Sequence, residues 1–240
     1  MSTTSGHDAI HAPAVEGQPL AVSFLLAAGL VGPLIYVVVV LVEGATRPGY
    51  HAWHHPMSDL APGPHGWVMT IAFVVLGAGL LCFAVGLRRF LNPGRGSAWG
   101  PILIAVVGVS LIGLAIFPTD PGLGYPPGVA AGSTLHGFLH SLLSGVFGDP
   151  PMVAACIVLA RRFAQAPGGR SWALYSIATI ILVAVSQVLG AVAYVSSDPG
   201  SPYGFLQRLE FFTELGWVAV LAARLLVGPA FEPGQRPGEG

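Results

Sequence analysis

Leu80-Leu81-Cys82-Phe83-Ala84-Val85-Gly86-Leu87-Arg88-Arg89-Phe90 is the end of an apolar run that starts near residue 66 and stops at paired arginines. The pattern returns as Ala154-Ala155-Cys156-Ile157-Val158-Leu159-Ala160-Arg161-Arg162-Phe163, and a tryptophan follows each copy, Trp99 and Trp172. Because about 20 mainly apolar residues span a bilayer, each run reads as a membrane helix that ends at water. Working outward, six stretches qualify: 20–42, 66–87, 99–117, 136–160, 172–195 and 206–227.

Composition agrees. Of 240 residues 53% are hydrophobic and 9% charged, against about 25% charged in a soluble domain. The predicted fold is all-α, a polytopic bundle of six transmembrane helices over 20–228, between polar tails at 1–19 and 229–240 read as disordered. The first run is too long for a cleavable signal peptide and lacks a basic segment before it, so it reads as a retained helix. A net charge of -1, with no basic stripe and no phosphate-binding glycine loop, excludes a nucleic-acid partner. Membrane lipids or hydrophobic small molecules are the expected partners. Cys82 and Cys156 read as small packing residues rather than a disulfide.

Three phrases mark an internal repeat: Thr46-Arg47-Pro48-Gly49-Tyr50, Thr119-Asp120-Pro121-Gly122 with Tyr125, and Ser197-Asp198-Pro199-Gly200 with Tyr203. A period of roughly 75 residues points to one repeated supersecondary unit. Runs two and three and runs four and five form two hairpins, and runs six and one supply a third, giving a pseudo-threefold bundle. All ten cations are arginine. Arg88, Arg89 and Arg95 lie in one link and Arg161, Arg162 and Arg170 in another, so the positive-inside rule places these links and both termini in the cytoplasm. The Pro-Gly phrases and the histidine-rich loops then face outward from a cell membrane.

Six of the eight histidines collect at that outer face, in His51-Ala52-Trp53-His54-His55-Pro56-Met57-Ser58-Asp59-Leu60, at His65-Gly66-Trp67 and in His136-Gly137-Phe138-Leu139-His140. His136 and His140 are one helical turn apart and share a face. With His65 they make a candidate zinc site, since a catalytic zinc takes about three protein ligands, and Asp59 or Asp120 would complete or orient it. The plainer alternative is that these histidines cap helices and bond loop carbonyls. Ser58 and Asp59 also suit a turn, and Asp120 and Asp198 suit turn formation before Pro-Gly.

Deeper acids form a second set. Counting back from Arg161 and Arg224 puts Asp149, Glu210 and Glu214 roughly 15–21 Å from the cytoplasmic edge, near mid-bilayer, where a carboxylate is costly and faces a cavity or bundle interior. Ser186 and Gln187 lie at similar depth, and Arg47 or a hydroxyl is the expected partner of the Glu210 and Glu214 pair. Gly148-Asp149-Pro150-Pro151 predicts a break in the fourth helix, with Asp149 either capping its second half or serving chemistry. On a straight helix His136 and Asp149 would lie about 20 Å apart. They would then belong to separate clusters, both within reach of one long amphiphile.

The motifs His55-Pro56-Met57-Ser58-Asp59-Leu60, His65-Gly66-Trp67, Phe117-Pro118-Thr119-Asp120, His136-Gly137-Phe138-Leu139-His140 and Leu206-Gln207-Arg208 together resemble the bacterial membrane family called domain of unknown function 998. The resemblance runs from about residue 20 to 228 and implies six membrane helices. Ser58, Asp59, His136 and His140 are also distantly similar to the Ser, Asp and HxxxH set of the membrane hydrolases that include alkaline ceramidases, which have seven helices and carry HxxxH in the last. The expected function is a membrane-embedded enzyme acting on a lipid-like or isoprenoid substrate. Its chemistry is either zinc-assisted hydrolysis at the outer cluster or acid-initiated cyclisation or isomerisation by the buried carboxyls. Asp59, Asp120, Asp149, Glu210 and Glu214 are the candidate catalytic groups, and Ser58, Trp67, Gln187 and Arg208 the candidate substrate contacts. The alternative is a non-catalytic lipid-binding, transport or accessory protein.

Overall fold

The computed structural model describes residues 19–227, apart from 64, 92, 95, 166–168, 197 and 199. The two tails, Arg95 and part of the third Pro-Gly phrase lie outside the described residues. The helices are α1 (Leu20–Thr46), α2 (Gly66–Phe90), α3 (Trp99–Ile116), α4 (Leu135–Phe147), α5 (Asp149–Phe163), α6 (Gly169–Val195) and α7 (Tyr203–Val227), with one 3-10 turn at Met57–Leu60. Among the described residues there is no strand, only an isolated bridge between Gly122 and Tyr125.

Every predicted apolar run is helical, and the fourth is two successive helices, α4 and α5. Five segments are long and apolar enough to cross a membrane: α1, α2, α3, the continuous stretch Leu135–Phe163, and α6. The 25 residues of α7 are equally long, about 37 Å at 1.5 Å per residue, but carry Arg208, Glu210, Glu214 and Arg224. The chain is a multi-pass membrane protein.

Helix order closes a ring. Each of α1, α2, α3, α5, α6 and α7 packs on the next, and α7 returns to α1. The outside of the ring is apolar: Leu174, Ile177, Ile181, Val185, Val188 and Val192 on α6 are all exposed, as suits a face covered by lipid tails. In such a medium helices associate by close packing and small residues. Gly77 of α2 and Gly108 of α3 meet this way, since a Cβ on Gly77 would fall 2.6 Å from the Gly108 carbonyl oxygen, and one on Gly108 2.8 Å from that of Gly77.

Arginines gather at one end. Arg88 and Arg89 end α2, Arg161 and Arg162 lie in the last turn of α5, and Arg224 in that of α7. The Arg224 guanidinium lies 5.6 Å from the Trp172 ring at the start of α6. A Cβ on Gly94, in the α2–α3 link, would fall 3.3 Å from Arg162 Nη1, so Gly94 lies beside the last turn of α5. The 3-10 turn, the loop over 117–134 and the start of α7 occupy the opposite end, called here the loop end.

The helix break follows from backbone chemistry. Pro150 and Pro151 have no N–H, so two bonds of the α-helical ladder cannot form, and the chain turns at Gly148 with φ -91° and ψ -88°. Past this point α4 leaves the ring: it packs on α3 and α5 but not along α6, and of its residues only Gly137 and His140 are buried.

The glycine crossing yields a stability prediction. Gly77→Val forces α2 and α3 apart and is expected to cost roughly 1–3 kcal/mol, the usual range for overpacking. Gly216→Ala, with nothing within 4 Å of its Cβ position, should match or exceed the wild type. Thermal unfolding in mild detergent compares the two.

Candidate functional site

Arg208 organises the loop end. Its Nη1 donates to the carbonyls of Ala52 at 2.8 Å, His55 at 2.9 Å and Gly204 at 2.7 Å, and its Nη2 donates to the Tyr50 hydroxyl. Tyr50 in turn donates to the carbonyls of His55 and Pro56. The side chain that sequence placed against a substrate instead bolts residues 50–56 to α7. Gly204 must be glycine for this, because a Cβ there would lie 2.2 Å from the His55 oxygen. Gln207 helps by accepting a bond from the Met57 amide at 2.8 Å.

Arg47 is engaged too, though not with the deep acids as sequence proposed. It pairs with Glu43 at 2.6 Å and donates to the Leu60 carbonyl at 3.2 Å. The 3-10 turn that carries Ser58 and Asp59 is thus fixed from both α1 and α7.

The histidines divide by role. His55 Nδ1 accepts from the His51 amide at 2.9 Å, and the other nitrogen, Nε2, lies 3.1 Å from the Leu123 carbonyl. One nitrogen must accept and the other donate, so the ring is neutral, and burial holds its pKa below the ordinary value. This ring ties the 117–134 loop down. His140 turns inward, its Nδ1 2.8 Å from the Phe117 carbonyl. His65 and His136 are exposed, and His136 packs edge-on against Phe117. Among the described residues no three His, Cys, Asp or Glu side chains are grouped to hold a metal ion. The set His65, His136 and His140 does not converge: His140 is buried and bonded to the Phe117 carbonyl, while His65 and His136 are exposed.

Asp198 makes the turn expected of it, accepting from the Gly200 amide at 2.8 Å. Asp120 reaches further. Its two oxygens accept from the Thr134 amide and hydroxyl, each at 2.7 Å, and Thr134 caps α4 by accepting from Gly137. These bonds hold the Asp120 carboxyl below the usual carboxylate range.

Below the loops lies a cavity of about 680 Å³, within the usual size for a small-molecule site. Ser58, Asp59, Asp120 and His140 line its loop end, and Asp149, Gln187 and Glu210 its floor. The two sets that a straight helix would separate share one chamber, because α4 swings aside at Gly148. Asp149 does not cap α5: Gly148 holds the cap position, with no side-chain capping bond. Its carboxyl instead stands on the cavity floor with Gln187 and Glu210. Trp67 is 62% exposed on the outside of α2, away from the lining.

Among the described residues three buried oxygens have no hydrogen-bond partner: Asp59 Oδ2, Ser186 Oγ and Glu214 Oε1. Such groups are rare in native proteins and call for an explanation. Asp59 faces the cavity and is only 3% exposed, and burial pushes its pKa up to about 8 against the pull of Arg208. Ser186 and Glu214 lie beside the floor, next to Gln187 in sequence and one turn from Glu210. Sequence reading missed Tyr36, Phe73, Tyr194 and Tyr203, which also line the chamber. Only the tyrosines carried a signal, being polar tips inside apolar runs.

Two predictions follow from these contacts. Arg208→Lys, which cannot fork among four acceptors, is expected to lower stability by at least the ~1.5–3 kcal/mol of one charged hydrogen bond. It should also make the 50–56 loop a protease target, read by limited proteolysis. Folded Asp59 holds its proton up to about pH 8, while in the unfolded chain it releases it near the ordinary 3.8. The folded state therefore binds more protons between these values, and stability falls as pH rises through that window. Asp59→Asn should remove this component from a melting-temperature series between pH 4 and 8. The depressed Asp120 acts with opposite sign and at lower pH, so the difference between the two proteins isolates Asp59.

Comparison with known proteins adds a family and no activity. No curated protein and no solved structure matches the chain. The family described as "Protein of unknown function (DUF998)" matches residues 30–224, a span that includes residues of all seven helices and every group lining the cavity, and the chain belongs to that family.

Proposed function

We propose that the protein is a membrane-embedded enzyme that binds a lipid-like or isoprenoid substrate in the cavity and acts on it by acid-initiated isomerisation or cyclisation. The observation that carries this reading is the single chamber lined by Asp59 and His140 at one end and by Asp149, Gln187 and Glu210 at the other. In this reading α7 is the sixth span, the arginine end is cytoplasmic and the loop end faces outward. The hairpins α2–α3, α4/α5–α6 and α7–α1 are three copies of one unit, a reading supported by the closed ring and the gathered arginines.

A carboxyl that keeps its proton can donate it and, once ionised, take one back. Asp149 and Glu210 stand on the same cavity floor, with Gln187 beside them. A proton held on one of these carboxyls can be delivered to a double bond or epoxide and recovered from the product, so the step is balanced without a co-reactant. Asp59 is the acid at the far end of a bound chain, and His140 offers Nε2 as a second acceptor. The geometry favours carboxyl chemistry over hydrolysis by zinc because the three candidate ligands do not meet.

Lipid extracts of membranes from cells expressing the wild type, Asp149→Asn or Glu210→Gln test the proposal by chromatography with mass detection. The expected result is a product with the mass of its precursor and a different retention time, reduced at least a hundredfold in either variant, the lower end of what one acid–base group contributes. Identical lipid profiles in all three, with the same lipid retained by each purified protein, would establish a binding or carrier protein instead.

A further inference from the structure

The cavity lining is chemically one-sided. Asp59, Asp120, Asp149 and Glu210 contribute carboxyls and no arginine lines it, and the chain has no lysine. The two cations near the loop end are already engaged, Arg47 with Glu43 and Arg208 with loop carbonyls. A phosphate or carboxylate head placed here would meet carboxyls and no arginine or lysine counter-charge, an arrangement that disfavours an anion. What the lining does offer is hydrogen bonding to an uncharged group: the amide of Gln187, the Glu210 carboxyl and, at the far wall, a buried Asp59 oxygen with no partner in the protein.

The way in is equally specific. At the loop end, Gly122 and Leu123 lie over the cavity, and the bond from Leu123 to His55 pins them. The side is open. Ser141 and Gly145 on α4, and Ala191 and Tyr194 on α6, all line the cavity and are all exposed, while α4 is not packed along α6. Exposed Val146 on one helix and Val188 and Val192 on the other flank this slot, so it faces the acyl chains of the membrane.

We propose that the site takes an uncharged, single-chain isoprenoid alcohol that enters sideways from the bilayer between α4 and α6, and that it excludes the phosphorylated form of the same chain. The proposal rests on the reading of the cavity as an amphiphile site and adds the head-group class and the route. Entry through the slot carries the hydroxyl to Gln187 and Glu210 without crossing the pinned loops.

Three probes with one tail test the head group: farnesol, farnesyl phosphate and farnesylamine, each equilibrated with the full-length protein in nanodiscs and read by native mass spectrometry. Farnesol is expected to bind at least about tenfold more tightly than the phosphate, a difference of ~1.4 kcal/mol. Equal or tighter binding of the phosphate overturns the proposal, as does tighter binding of the amine, which would make this a cation site, or no binding of farnesol. The route is tested by Gly145→Trp and Ala191→Trp, expected to slow farnesol uptake about tenfold at unchanged melting temperature, with Val85→Trp on the lipid face of α2 as control. Uptake at the wild-type rate in both slot variants overturns lateral entry. Farnesol binding without any isomeric product in the lipid comparison would sink the enzymatic reading and leave the head-group class and the route standing.

Discussion

Inside a bilayer a backbone N–H or C=O must find its partner within the protein, and two consecutive prolines in the fourth span break that rule at one place. Pro150 and Pro151 remove two donors, and Gly148 absorbs the turn. The remaining architecture follows from this missing pair of bonds. α5 stays in the ring between α3 and α6, α4 departs from it, and the space between α4 and α6 becomes a chamber. Asp149, at the elbow, faces that chamber because it begins the second helix. Chains commonly tolerate irregular backbone at membrane depth only where it borders a cavity, so the break and the cavity explain one another.

The second organising element is the placement of positive charge. Arginines end three helices at one face of the bundle, and the two at the loop end hold backbone carbonyls and Glu43. Among the described residues no arginine lines the cavity. The buried acids must therefore be stabilised by hydrogen bonds and by each other, and Glu214, 2% exposed with one oxygen unpartnered, lies at the limit of that arrangement. A chamber with four carboxyls and a single histidine is suited to holding protons rather than anions. This is the physical link between the composition of the chain and the chemistry proposed for it.

Much of the fold was legible in the sequence because lipid imposes simple rules on it: apolar runs of fixed length, arginines at their ends, and breakers between them. The broken fourth helix was legible for the same reason, since Gly-Asp-Pro-Pro has few helical solutions. The histidines were not. Their spacing at 136 and 140 gives one helical face on average, yet the 5% exposure of His140 and the outward position of His136 depend on how α4 is rotated against α3, which no local pattern encodes. Arg208 was equally opaque: its acceptors lie 153 and 156 residues away, on a loop whose path the sequence does not specify.

Proline alone does not open a membrane helix. Pro33 lies inside α1, which continues unbroken from Leu20 to Thr46 and stays packed on α2 and α7 along the ring. One missing donor can be relieved by a local bend. The fourth span differs in three ways at once: two donors are absent, a glycine precedes them with no side chain to hold the helical turn, and an acid stands between. Filling the elbow would not close it either, because a Cβ on Gly148 would fall 2.5 Å from the Ser144 oxygen and would push the chain further from helical geometry. The opening between α4 and α6 is therefore set by the backbone itself rather than by the side chains that line it, so the chamber persists whichever protonation state its acids adopt.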